Sequence, residues 1–436
     1  MPAPALSDHV IAQLPPGPVC VGLSGGMDSV VLLHLLAVAA QVRERGLRAV
    51  HVHHGVHPDA DDWARRCTAL CARLDVRLAV RRVRVVHNGS GLEGALRDAR
   101  YAVFDSELRP GECLALAHHL DDQAETFLLR ALRASGVDGL AAIPAMRLLG
   151  DAPVVRPLLD IPRSQLHAYA LRHHLEWIDD PGNADLSMDR NFLRHRLMPL
   201  LQERWPHAAA SFARSAALCR QDSDLLLEED ARTLAAARTL DAQVLRVDAL
   251  QDLAPARRSR VLRLWLRQLK LQPLPAHLAM AAGTQLLEAR ADAAPRVAWS
   301  GTELRRWRDL LYAGRARASL PLDWRVRWDG RDALALPDGG QLRLLGDVLL
   351  PDRCIVHARA GGERIVLPGR GHSHALKHVL QDLGVPPWLR ERLPLLSTDE
   401  GELLAAGDLV VSHRLDTWLR DHRTRLHWQP PSDAVD

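Results

Sequence analysis

Six residues, Ser24-Gly25-Gly26-Met27-Asp28-Ser29, stand between an apolar run at 19–23 and a helical pattern at 30–45. Glycine accepts backbone angles closed to other residues, which lets successive N–H groups converge on one point at a helix N-terminus. Unpaired donors and the helix dipole favour an anion there. Ser24 and Ser29 add hydroxyl donors, so the segment reads as a phosphate cradle rather than as an ordinary strand-to-helix turn. A Gly-x-x-x-x-Gly-Lys-Ser/Thr loop would need a lysine that this segment lacks, which leaves the kinase and GTPase pattern unsupported.

A second polar set, His118-His119-Leu120-Asp121-Asp122-Gln123-Ala124-Glu125-Thr126, follows an apolar run at 113–117 and opens another helix. Asp121 and Glu125 are expected on one helical face, Asp122 and Thr126 on the next. Acids at a helix start also complement its dipole. Mg²⁺ takes few carboxylates together with phosphate oxygens, so Asp28 with Asp122 suits that ion. Histidines gather at His51, His53, His54 and His57, and again at His372 and His374. With no carboxylate or cysteine at ligand spacing they read as strand-end and loop residues, His54 lining a nucleotide pocket. Arginines lead two further segments: Arg97 shares a helix face with Tyr101, and Arg190 shares one with Arg194. A guanidinium fork suits phosphate, although surface ion pairing accounts for most arginines.

These residues are carried by a regular alternation. Strand patterns at 19–23, 49–53, 77–86 and 113–117 interleave with helical patterns at 30–45, 60–74, 92–108 and 121–134, the mark of βαβ units around a doubly wound parallel sheet. In such sheets ligands bind beyond the carboxyl ends of the strands, where strand order reverses. Both polar sets leave carboxyl ends, so they face one cleft if their strands are neighbours. A helix at 163–174 and a turn at 179–183 follow. Past Trp205-Pro206 the pattern becomes helical, at 207–240, 255–271 and 276–291. Short strand patterns return from about residue 323, with a helix at 375–384. Three domains are expected, at 1–205, 206–322 and 323–436.

Length and composition agree with that division. A chain of 436 residues exceeds one hydrophobic core, and 47% hydrophobic content is enough for several. The net charge of +3 requires any nucleic-acid affinity to come from local patches. One candidate patch is Arg257, Arg258, Arg260, Arg263, Arg267 and Lys270, set against Arg305, Arg306 and Arg308. The six cysteines form no Cys-x-x-Cys pair, which argues for reduced thiols in the cytoplasm. No segment is long and apolar enough to expect a membrane partner.

The hexapeptide resembles the signature of ATP-pyrophosphatases, which cleave ATP between the α and β phosphates. Taken with His51-Val-His-His-Gly55, Glu93 with Arg97-Asp-Ala-Arg-Tyr101, Ala117 to Thr126, Arg156-Pro-Leu-Leu159, Asp180-Pro-Gly-Asn183, Arg190-Asn191 and Arg194, the chain resembles the bacterial tRNA(Ile)-lysidine synthetases. Arg359-Ala-Gly-Gly362, Leu376-Lys377 and Val385-Pro-Pro-Trp-Leu-Arg390 extend the resemblance to the C-terminal domain. One departure is Ala134, where the family more often carries glycine.

The resemblance implies an ATP-pyrophosphatase fold followed by a helical domain and a small mixed α/β domain. It implies ligation of L-lysine to C2 of the wobble cytidine in a CAU anticodon, through an adenylated base, with ATP as substrate and Mg²⁺ as cofactor. Implied ATP contacts are Ser24, Gly25, Gly26, Met27, Asp28, Ser29, His54 and His119. Catalytic roles fall to Asp28, Asp122, Glu125 and Arg194, with one carboxylate, Asp122 or else Glu125 or Asp28 beside it, expected to position lysine and accept its proton. Asp28 and Asp122 are the metal ligands, and tRNA contacts fall to Arg97, Arg190, Arg194, Arg258 and Lys377. The alternatives are a tRNA thiolase of the same fold and a non-catalytic RNA-binding relative.

Overall fold

A computed structural model describes residues 6–84, 91–290, 293–346, 348–351 and 353–431, and internal contacts divide the chain into two units, Met1–Leu226 and Leu227–Asp436. The first unit opens with α1 (Leu6–Ala12), β1 (Val19–Gly22), α2 (Met27–Ala37), α3 (Ala40–Arg45), β2 (Leu47–His53), α4 (Ala60–Arg73) and β3 (Arg77–Arg82). It continues with α5 (Gly91–Glu107), β4 (Cys113–Ala115), α6 (Leu120–Leu132), α7 (Val137–Leu140), β5 (Met146–Leu149), β6 (Ala152–Val155) and α8 (Arg163–Arg172). The alternation expected from sequence is present. The helix expected at 30–45 is broken in two at residues 38–39, and residues 85–86 of the third expected strand lie outside the described residues.

The six strands run in the order β3-β2-β1-β4-β6-β5, parallel throughout except that β5 is an antiparallel edge strand paired with β6. Strand order reverses between β1 and β4. Val19 pairs with both Leu47 and Cys113, so β1 is a central strand buried on both faces, which explains its unbroken apolar run. Helix α2 is apolar on nearly every side: Val31, Leu32, Leu33 and Leu36 are fully buried, each contributing about 2 kcal/mol by burial. That helix is the rigid mount of the loop at 24–29. On α4, Ala60, Ala64, Cys67, Leu70 and Cys71 form the inward stripe, spaced three, four and seven apart.

Beyond α8 the chain forms α9 (Asp189–Phe192), a π turn (Leu193–Leu197), α10 (Met198–Arg204) and the long α11 (Ala208–Ala237), inside which the division between units falls. The second unit contains the expected helices as α13 (Pro255–Gln268) and α14 (Ala276–Ala282), after a short α12 (Asp248–Gln251). It also contains an antiparallel sheet within residues 206–322 that the helical patterns did not suggest. Its strands are β7 (Val244–Arg246), β8 (Arg296–Trp299), β9 (Thr302–Trp307) and β10 (Leu310–Arg315), in the order β7-β10-β9-β8. The remaining residues form mainly antiparallel sheets, the largest made of Arg325–Trp328, Cys354–His357, Leu395–Thr398, Leu403–Ala406 and Val410–Val411, with a helix at Leu376–Asp382.

Candidate active site

The loop after β1 is folded around its own serine. The backbone N–H groups of Ser24 and Gly25 both donate to Ser29 Oγ at 3.2 Å, and Gly26 N–H donates to Ser24 Oγ at 3.3 Å. Convergent donors of this kind form an anion nest, here satisfied internally by the hydroxyl. Only one of the two glycines is required by backbone geometry. Gly25 has φ +89°, and a Cβ there would lie 2.5 Å from Ile178 Cδ1 and 3.0 Å from Cys67 Sγ. Gly26 is extended, at φ −69° and ψ 159°, and serves as the N-cap residue of α2.

Across the β1/β4 reversal, His119 caps α6. Its Nδ1 accepts from Asp122 N–H while Asp122 Oδ2 accepts from His119 N–H at 3.0 Å, a reciprocal capping box. With Nδ1 accepting, Nε2 carries its hydrogen toward Asp28 Oδ2 at 3.5 Å and Asp122 Oδ2 at 3.6 Å. Asp28 and Asp122 therefore belong to one centre, bridged by a buried imidazole. Burial alone would lower the His119 pKa, but the Asp28 contact and the charges of Asp122 and Asp28 raise it.

Arg190 and Arg194, brought into line by the π turn that follows α9, close the far side. Arg190 Nε donates to Glu125 Oε2 and its Nη2 to Asp122 Oδ1, both at 2.8 Å. Arg194 Nε donates to Glu125 Oε1 at 2.7 Å and its Nη2 to Asp122 Oδ1 at 3.1 Å. A π turn inserted between helices is often found at functional sites. The acid pairing thus differs from the sequence expectation: Asp122 and Glu125 share the inward face, whereas Asp121 Oδ2 accepts from Arg163 N–H at the start of α8. Burial would raise the Asp122 carboxyl, but His119, Arg190 and His118 outweigh it and hold the group down at about 2. Its Oδ1 is engaged by both guanidinium groups.

The loop, the end of β2, α5 and the α6 start enclose a cavity of about 620 Å³, within the usual range for a small-molecule site. Ser24, Gly26, Asp28, Ser29, His54, Asp122, Arg190 and Arg194 line it. Three expected ATP contacts and one expected catalytic residue do not line the cavity. Gly25 and Met27 are buried and do not line the cavity; the Met27 side chain belongs to the core. His119 is 1% exposed and lies against Asp28 and Asp122. Glu125, also 1% exposed, is enclosed by the two arginines.

Three cavity residues, His118, Trp63 and Arg100, were given no role from sequence. His118 and His54 each have a buried Nδ1 with no hydrogen-bond partner, and burial drives their pKa values down to about 3 and about 4. Both rings are neutral at pH 7. Trp63 stacks on His57, with ring centroids 4.5 Å apart, and Arg100 enters from α5. The signal for Arg100 was the spacing of Leu96, Arg100 and Phe104 at i, i+4 and i+8, which puts one flank of α5 on the cavity.

Asp28 Oδ1 is buried and accepts no hydrogen bond among the described residues, with Arg163 Nε 3.8 Å away. A carboxylate oxygen left without donors fits a cation beside phosphate. Asp122 fits less well as a metal ligand, because Arg190, Arg194 and His119 N–H already occupy its oxygens. Among the described residues no group of three or more His, Cys, Asp or Glu side chains is disposed to hold a metal.

The expected arginine patch on α13 is divided: Arg257, Arg263, Arg267 and Lys270 are exposed, whereas two of its members are engaged within the unit. Arg258 is 8% exposed and its guanidinium donates to the carbonyls of Leu250, Gln251 and Leu253, so it holds the α12 end and is not open to RNA. Arg306 likewise donates to Leu286, Leu287 and Ala289 carbonyls, and Arg260 pairs with Asp230. Arg97 and Lys377 are exposed. The cysteines offer little chemistry: Cys20, Cys67, Cys71, Cys113 and Cys354 are buried, and burial pushes the Cys67 thiol up to about 12 and Cys71 to about 11.

A glycine-bearing loop at the strand-order reversal, facing an acid-rich helix start, defines a nucleotide-binding α/β domain of the PP-loop class, and residues 6–201 match the PP-loop domain family. Residues 245–312 match the TilS substrate binding domain and residues 354–428 the TilS substrate C-terminal domain. The chain is 51% identical over 428 residues to a tRNA(Ile)-lysidine synthase of Xanthomonas campestris pv. campestris (strain 8004), covering 98% of each chain. It is 50% identical over 418 residues to one of Xylella fastidiosa (strain 9a5c), covering 94% of this chain and 95% of that one. With one of Pseudomonas aeruginosa the identity is 43% over 457 residues, covering 99% of each. The chain belongs to the tRNA(Ile)-lysidine synthase family.

Proposed function

We propose that the protein joins L-lysine to C2 of the wobble cytidine in a CAU-anticodon tRNA(Ile), consuming ATP, and that this changes the codon read from AUG to AUA. The observation that carries the reading is the convergence of Asp28, His119, Asp122 and the loop at 24–29 on one cavity at the carboxyl edge of the sheet. Full-length similarity to tRNA(Ile)-lysidine synthases supports the choice of substrates.

In the first step the C2 carbonyl oxygen attacks the α-phosphorus; an O–P bond forms, the Pα–O bond to the β-phosphate breaks, and pyrophosphate leaves. The N–H groups of Ser24 and Gly25 exchange Ser29 Oγ for phosphate oxygens, so the donors are already aligned when charge develops. Asp28 would hold Mg²⁺, with Asp122 as a second ligand only if it releases an arginine; when bound, the ion neutralises charge on the phosphates. Arg190 and Arg194 place two cations at the cavity wall, where they face the phosphoryl group.

In the second step the ε-amine of lysine attacks C2 of the cationic adenylated base. A C–N bond forms and the C2–O bond breaks; AMP leaves as its anion with one amine proton, and the other stays on the cationic product base. The amine attacks as the neutral base. His118, neutral and with an open Nδ1, accepts a hydrogen bond from the amine. Asp122 and Glu125 fix the two arginines and so act as positioning residues. Exposed Arg97 and Lys377 are suited to tRNA phosphates. We assign residues 1–205 to catalysis and residues 206–322 and 323–436 to gripping the tRNA body.

Pyrophosphate release tests the reading directly. It should require tRNA bearing a CAU anticodon and fall to background without it; release that ignores RNA would contradict the proposal. Sulfur in the RNA product would instead favour a thiolase, a reading that the buried, high-pKa cysteines oppose.

A further inference from the structure

Helix α5 presents two adjacent flanks. Leu96, Arg100 and Phe104 line the cavity, while Arg97 and Tyr101, one position further round, face the β5–β6 edge of the sheet. Three cations meet at that second flank. The Arg147 guanidinium carbon, from β5, lies 4.3 Å from the Tyr101 ring centroid and that of Arg97 lies 5.6 Å away. Arg156, which follows β6 and is only 2% exposed, donates to Tyr101 Oη at 3.4 Å and to the Pro144 carbonyl at 2.8 Å.

Among the described residues no carboxylate pairs with Arg97, Arg147 or Arg156, and the buried Nε atoms of Arg147 and Arg156 have no hydrogen-bond acceptor. A structural pin would not need this arrangement. One arginine stacked on the tyrosine would supply the packing, whereas three cations around a neutral phenol repel one another, and orphaned buried donors cost free energy. The gathering is accounted for if an anion completes it. Burial tends to raise the Tyr101 pKa, yet Arg156, Arg147 and Arg97 bring it below the usual phenol value, a sign of net positive potential at the hydroxyl.

We propose that Arg97, Arg147 and Arg156, gathered around Tyr101, form a site for one phosphodiester of the RNA strand whose base enters the neighbouring cavity. The inference rests on the functional reading above, since it takes the polyanion to be RNA. A strand delivering a base past Leu96, Arg100 and Phe104 runs along α5, and its backbone then meets the next flank of the same helix. The site reads charge and spacing rather than sequence, and so fixes register.

The test is binding of a CAU-anticodon tRNA transcript to the full-length protein by fluorescence anisotropy over a series of salt concentrations. Removing one phosphate contact should lower the slope of log K against log[salt] by about 0.7 to 1. Arg147→Gln should show that change with a several-fold loss of affinity, and Arg147→Lys should restore most of the slope. Arg97→Gln, at an exposed position, should repeat the effect without risk to folding. The free Arg147→Gln protein should melt no earlier than the parent, because like-charge repulsion is relieved.

Parental slopes in both glutamine variants would overturn the site, as would Arg147→Gln melting several degrees earlier while binding normally. ATP titrated without RNA separates the two sources of phosphate: loss of ATP affinity with transcript binding intact would give the cluster to the nucleotide and also overturn it. Failure of the parent protein to bind the transcript would remove the functional reading, and this site with it.

Discussion

Asp28 carries one carboxylate oxygen that accepts no hydrogen bond among the described residues and another held toward His119, so its side chain is poised for a cation. Asp28→Ala should therefore lower tRNA-dependent AMP formation by at least about a hundredfold, a typical loss when phosphate-charge stabilisation is removed, with nearly unchanged thermal stability. A variant that forms AMP at the parental rate would remove the assignment. His118 and His54 make a separate prediction. Their folded pKa values, about 3 and about 4, lie below the ordinary histidine value. Between the unfolded pKa near 6.5 and those values the unfolded chain binds more protons, so stability falls as pH drops through that window. The melting temperature should decline from pH 7 to pH 5, and His118→Gln should shrink the decline; equal declines in both proteins would contradict it. The residue types at this site were legible because the loop and the α6 start are contiguous motifs. What stayed hidden were pairings set by tertiary approach. Only tertiary approach shows Arg190 against Asp122, and only burial shows that Arg258 serves the carbonyls of its own unit.

Two elements, α6 and the α9–π-turn segment, are clamped by four groups, and the clamp is asymmetric. Glu125 is nearly inaccessible while the arginines remain about one-quarter exposed. Glu125→Gln leaves two guanidinium groups undercompensated and should lower stability by about 2 kcal/mol, somewhat less than the loss of a fully buried pair because the arginines retain water. Chemical denaturation would measure it, and an unchanged midpoint would show the clamp to be dispensable. The other end of α6 closes with Ser135 N–H bonded to Arg130 O and Ala134 N–H to Ala131 O, a Schellman arrangement that places Ala134 at φ +53°. An L-residue is strained there, which gives the family's glycine a physical reason. Ala134→Gly should stabilise the protein by about 0.5–1 kcal/mol; a loss of stability would contradict that. Helix and strand periodicity located these elements well in the first unit, where buried strands are continuous apolar runs. It failed for β8 to β10, whose residues include Arg296, Arg305 and Arg306. The two-residue turn at Ser300-Gly301, with φ +41° and +76°, is the signal that marks the hairpin.

Across the whole chain, chemistry gathers in the first unit, while the second builds two hydrophobic cores of its own, one on α13 and the β7–β10 sheet and one on the sheets beyond residue 320. A fragment ending at Leu226 keeps the contacts of Arg220 with the Ala141 carbonyl and of Ser223 with Asp138, both on the first part of α11. It should bind ATP nearly as the full chain does but bind tRNA far more weakly; equal losses of the two would count against the division of labour. No helix among the described residues is long and apolar enough to cross a membrane. On the reading proposed above, the cavity between the β1 loop and the α6 start joins lysine to the wobble base. Full-length protein incubated with ATP, lysine and a CAU-anticodon tRNA, followed by digestion and mass analysis of the wobble nucleoside, tests it most directly. The account predicts a cytidine heavier by one lysine less water, absent with Asp28→Ala; an unmodified cytidine from the parent protein would contradict it.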